Sequence, residues 1–66
     1  MLLTVNGELR EAEDGLDLKA FLALLGLDSS KVAVERNLGI VPRSRFATTI
    51  LASGDKLEIV QFVGGG

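Results

Sequence analysis

Only one stretch of this 66-residue sequence carries helical periodicity, and that limits what the chain can become. Leu18, Phe21, Leu22 and Leu25 recur at i, i+3, i+4 and i+7, one stripe of an amphipathic helix. Asp17 stands at the N-cap, where a carboxylate accepts hydrogen bonds from the first free helix amides. Leu16, just before it, is placed for a hydrophobic staple. Gly26 follows the stripe at the position where left-handed φ ends a helix, and Leu27 can fold back. On the opposite face Ala20, Ala23 and Leu24 leave Lys19 as the only charge. An incidental leucine on the flank of a small helix accounts for that. One helix covers one face of a sheet, so the expected architecture is two-layer α+β.

The rest of the chain is strand and turn. Leu2-Leu3-Thr4-Val5 is followed at once by Asn6-Gly7, a pair suited to a type I′ hairpin because both residues accept positive φ. Glu8 to Ala12 alternates as a half-buried return strand whose charges suit a sheet edge. After the helix, Lys31 to Asn37 forms a third strand with Val32 and Val34 inward. Asn37-Leu38-Gly39 is a turn, and Ile40-Val41 a short strand ended by Pro42. Arg43 to Phe46 makes a turn or 3₁₀ loop with Phe46 anchored in the core. The β-branched run Thr48 to Leu51 predicts a further short strand, and Ser53-Gly54-Asp55 a turn. Lys56 to Val63 is the longest strand, with Leu57 and Ile59 on one face and Val60 and Phe62 on the other. Apolar residues on both faces mark a central strand, or one with a sticky outer face.

The right-handed crossover rule places this last strand beside the first and parallel to it. That is a β-grasp roll: a mixed sheet of four to five strands on one helix, with the body spanning residues 1–63. Residues 64–66 are then a flexible glycine tail projecting from mid-sheet. A chain this short buries only about 60% of its unfolded surface, but a 47% hydrophobic fraction supplies a core without staples.

The chain has no cysteine and no histidine. Disulfides, thiolate chemistry and the usual neutral-pH general base are therefore missing, which argues against a self-sufficient enzyme. With a net charge of −2, no Trp or Tyr and three Phe, it lacks a basic footprint and stacking platform for nucleic acid. No apolar run is long enough to cross a membrane and no leader pattern opens the chain, so a cytoplasmic, soluble domain is expected. What chemistry remains lies at Gly64-Gly65-Gly66. Glycines lack Cβ and can thread a narrow enzyme site, leaving the Gly66 carboxylate unhindered. A frayed terminus or linker remnant would have the same composition, although no tag or protease-site remnant accompanies it.

Three stretches resemble the ThiS family of sulfur carriers, within the ThiS, MoaD and ubiquitin-like group. They are Val32-Ala33-Val34-Glu35-Arg36-Asn37, Ile40-Val41-Pro42-Arg43, and Gly54 through Gly66. Leu3-Thr4-Val5-Asn6-Gly7 is similar to the family's opening hairpin. The family often has Gly directly after the Asn at position 37, whereas Leu38 intervenes here before Gly39. The resemblance implies that an E1-like, ThiF-type adenylyltransferase converts the Gly66 carboxylate to an acyl adenylate, using ATP and Mg²⁺ of its own. A persulfide charged by a cysteine desulfurase then displaces AMP. The resulting Gly66 thiocarboxylate gives its sulfur to a ThiG-type thiazole synthase as the thiazole ring forms. Sulfur thus rides on the terminus and the chain needs no catalytic residue or metal of its own. Threading orders the tail at roughly 1–2 kcal/mol per residue, which contacts from the body must offset.

The expected partner interface is the outer sheet face leading to the tail, Val60, Phe62 and Val63, with Leu2 beside them. Phe62 folding over the sheet edge to complete the core is the competing arrangement. Arg43 joins the interface through the Val41-Pro42-Arg43 match, or is a solvated loop charge, as Arg45 is. Arg36 and Glu35 read as plain surface residues. Other uses of the same tail are a carrier for molybdopterin or another sulfur pathway, or a ubiquitin-like modifier joined to lysines. A β-grasp interaction module with inert glycines is the alternative of a different class.

Overall fold

Asn6 and Gly7 turn the chain with φ of 50° and 83°, both in the left-handed region. They close β1 (Leu2–Val5) onto antiparallel β2 (Glu8–Glu11) in the computed structural model, which describes residues 1–62. Next come α1 (Leu18–Leu24), a 3₁₀ turn at Ser29–Lys31, β3 (Val32–Arg36), β4 (Gly39–Val41), a 3₁₀ helix at Arg43–Thr48, and β5 (Lys56–Gln61). The sheet order is β2-β1-β5-β3-β4. β5 lies in the middle, parallel to β1 and antiparallel to β3. This is the β-grasp arrangement that the element order and the crossover rule lead to.

The helix forms where its stripe predicts. The Asp17 carboxylate accepts from the Ala20 amide at 2.8 Å, and Gly26 takes φ of 77° at the far end. Leu18, Phe21 and Leu22 are buried against Leu3, Val5, Val32, Val34 and Leu57, with Phe46 and Leu51 closing the core. Each such side chain contributes about 2 kcal/mol on leaving water. Leu16, Leu25 and Leu27 are partly buried around the rim, and the Leu27 amide returns to the Leu22 carbonyl at 3.0 Å.

Two expectations are corrected. β2 is exposed along its whole length rather than half-buried. It is an edge strand, and Leu9 shares its register with Thr4 on the face away from the helix. Nor is the run from Thr48 to Leu51 a strand. Thr48 ends the 3₁₀ helix, and the hydroxyls of Thr48 and Thr49 donate to the Arg45 carbonyl at 3.3 and 2.7 Å. These local bonds compete with sheet pairing. The segment instead serves the helix start: the Thr49 carbonyl accepts from Leu18 N at 2.9 Å, and Ile50 forms an isolated bridge with Asp17.

At the β3–β4 turn the departure from a glycine has a conformational cost. Leu38 sits at φ 73° and is 87% exposed, between the paired residues Arg36 and Gly39. A side chain in the left-handed region costs about 1–2 kcal/mol. Part of that is recovered because leucine restricts the unfolded chain more than glycine does. Leu38→Gly is therefore expected to raise stability by about 0.5–1 kcal/mol, read as a higher urea midpoint with an unchanged slope.

Candidate functional site

β5 carries everything that leads to the tail, and its two neighbours hold it at both ends. At the start, the Asn37 side-chain oxygen accepts from Lys56 N at 2.9 Å, while its Nδ2 donates to Asp55 at 3.0 Å. Farther along, β1 has ended, and the Asn6 side chain stands in for it. Its Oδ1 accepts from Ile59 N at 2.7 Å and its Nδ2 donates to the Ile59 carbonyl at 3.1 Å. Both asparagines occupy left-handed turn positions, Asn37 at φ 51°. They thus serve twice, turning one hairpin each and pinning the central strand. Asn6→Gly keeps the turn and removes only the clamp. It is expected to lower stability by about 1–2 kcal/mol, with faster hydrogen exchange at the Ile59 amide as the local sign.

Asp55 immediately precedes β5 and is the one buried charged residue among those described, 6% exposed. Its carboxylate accepts from Arg36 Nε at 2.8 Å, Asn37 Nδ2 at 3.0 Å and Ala52 N at 2.9 Å. Burial pushes this carboxyl upward. The Ala52 amide, the Asn37 side chain and the Arg36 guanidinium outweigh it and hold the carboxyl below its ordinary value of 3.8. The cluster ties the loop before β5 to the β3–β4 turn.

Of the expected interface residues, Val60 and Phe62 are where the strand alternation puts them. Val60 is 61% exposed on the face away from the helix and Phe62 is 51% exposed, so Phe62 does not complete the core. The Phe62 amide donates to the Lys31 carbonyl at 2.8 Å, just past the end of β5. Arg43, Pro42 and Val41 line a recess with Phe62, Phe46 and Ile40, and Arg43 Nε donates to the Ser29 carbonyl at 3.2 Å. The structure therefore brings Arg43 and Phe62 together. Leu2 is on the same sheet face as Val60, but at its far side, on β1. Val63, Gly64, Gly65 and Gly66 lie outside the described residues.

On this face the sequence reading took Glu35 as a plain surface residue and Ile40 as part of a short strand, and gave neither them nor Glu58 a part in the interface. Ile40 is exposed, and Glu35 faces both Ile40 on β4 and Glu58 on β5. Single-strand alternation gives each residue's side but not the cross-strand register, so nothing in the sequence pairs these two glutamates. Among the described residues, no helix is long and apolar enough to cross a membrane.

The model of the ThiS family matches residues 3–66. The chain belongs to the ThiS family. A thiazole synthase of Paramagnetospirillum magneticum is 54% identical over 66 residues, which is 100% of this chain and 20% of that protein. The ThiS-family chain thus spans a fifth of that relative. The sulfur carrier protein ThiS of Bacillus subtilis is 36% identical, covering 98% of this chain and all of the Bacillus protein. The crystal structure of a thiamine biosynthesis protein, ThiS, from Geobacter metallireducens superposes with a TM-score of 0.85 at 33% identity, covering 100% of both chains.

Proposed function

We propose that this ThiS-family protein is a sulfur carrier of thiamine biosynthesis whose cargo is bound at Gly66. The observation that carries this reading is the family match, which runs through the glycines to residue 66. An adenylyltransferase of the ThiF type, with its own ATP and Mg²⁺, joins the Gly66 carboxylate to AMP and releases pyrophosphate. Adenylation replaces oxide, a poor leaving group, with AMP, a good one. A persulfide supplied through a cysteine desulfurase attacks the carbonyl and expels AMP. A second thiol then takes the donor's sulfur into a disulfide and frees the thiocarboxylate. That group passes its sulfur to a thiazole synthase in the cytoplasm. The choice of a thiazole synthase is supported by the Paramagnetospirillum relative of that name, a fifth of which matches this chain.

The body's part in this cycle is recognition. Val60, Phe62, Val63 and Arg43 dock the carrier on its partners, and Gly64 to Gly66 thread the partner's site. The test is intact-mass spectrometry of the chain incubated with ATP, the adenylyltransferase and a sulfur source. The expected product is heavier by one oxygen-to-sulfur exchange, and only when ATP is present. A mass that never changes under these conditions would rule the carrier role out.

A further inference from the structure

The sheet face turned away from α1 contains a pairing that works against the isolated chain. Glu35 on β3 stands directly opposite Glu58 on β5, and both point outward because Val34 and Leu57 beside them are buried. Residues paired this way hold their Cβ atoms about 5 Å apart, where like charges repel. Among the described residues, neither carboxylate has a cation within 4.0 Å. Towards the tail the surroundings are apolar: Ile40 is paired with Glu35, Ala33 with Val60, and Phe62 lies farther along. Lys56 is on the same face two residues before Glu58, without forming an ion pair with either glutamate. Among the described residues, α1 and Phe46 of the 3₁₀ helix pack on the other face and no element packs on this one.

We propose that the thiazole synthase docks on this face with an arginine seated between Glu35 and Glu58, its apolar side chains resting on Ile40, Val60 and Phe62. The proposal rests on the carrier reading. A guanidinium between the carboxylates turns their repulsion into charge-assisted, forked hydrogen bonds. Glu58 lies on β5, whose sequence continues into the tail, so a partner that holds the tail comes within reach of the pair. The choice of occupant follows from the Paramagnetospirillum thiazole synthase, where a region matching this entire chain makes up 20% of the protein. Domain and synthase there share one polypeptide, which keeps their surfaces at high effective concentration.

Calorimetric titration of the full chain and its E35Q, E58Q and double variants into the thiazole synthase, at low and moderate salt, tests this. Urea unfolding of each chain alone accompanies the titrations. The double variant is expected to bind about tenfold more weakly or worse. Its binding should also respond less to salt, while its urea midpoint stays level or rises as the repulsion is removed. Wild-type affinity in the double variant would overturn the proposal. So would a fall in its urea midpoint, because the glutamates would then be structural. Weakened binding to the adenylyltransferase alone would overturn the choice of occupant. Failure of the wild-type chain to acquire sulfur is a separate result, and it removes the carrier reading itself.

Discussion

Gly65→Val is expected to slow ATP-dependent conversion of the terminus by about a hundredfold or more, the scale on which a misplacement of 1 Å suppresses a reaction. The argument is steric. A glycine, with no Cβ, needs little more than the width of an extended backbone, and a β-branched side chain adds bulk on one side. The reacting carbonyl is one residue farther on, so a site that admits the backbone but not the isopropyl group holds Gly66 short of its position. The urea midpoint should not change, because among the described residues the last side chains of the core are Leu57 and the partly buried Ile59. That split between stability and conversion separates a threading defect from a folding defect. Single-turnover mass spectrometry at saturating adenylyltransferase measures it. A valine variant converted at the wild-type rate would show that the partner's site is not narrow.

Asp55→Ala should be the most damaging substitution of a charged residue for the fold, with a loss of about 3 kcal/mol. The change leaves the Arg36 guanidinium, the Ala52 amide and the Asn37 side chain without their shared acceptor. Arg36 is partly exposed and recovers some hydration, which holds the figure at the low end of the range for broken buried pairs. In a domain this small such a loss is a large share of the total. The same carboxylate sets an acid limit. Its folded-state value lies below its unfolded one, so its stabilisation is fully present above about pH 4 and disappears as pH falls through the folded value. The variant should therefore lose the part of the wild type's acid sensitivity that falls below pH 4. Urea midpoints measured from neutral pH downward would reveal equal slopes with pH if that linkage were absent.

Several of these features could be read from the residues. The helix was legible because cap, stripe and C-terminal glycine agree, and each rests on a local rule. The outward turn of Val60 and Phe62 followed from alternation along one strand. Where competing local chemistry entered, the reading failed. Thr48 and Thr49 have high strand propensity, yet their hydroxyls bond to the Arg45 carbonyl and hold the chain in a tight turn. Leu9 alternates as a buried residue would, but β2 lies beyond the core and on the wrong register to be covered. Long-range information was out of reach altogether. The use of Asn6 and Asn37 as pins for β5, and the opposition of Glu35 to Glu58, depend on which strands become neighbours.

The central place of β5, between a parallel and an antiparallel neighbour, also decides how the molecule bears mechanical load. An enzyme that draws on the terminus pulls this strand along its own axis. Its hydrogen bonds to β1 and β3, and those that its amides donate to the side-chain oxygens of Asn37 and Asn6, run across the direction of pull. Strain is then shared by all of them at once rather than peeled open from one end. In the proposed carrier role, the body can thus be tugged by the end of its chain and remain folded.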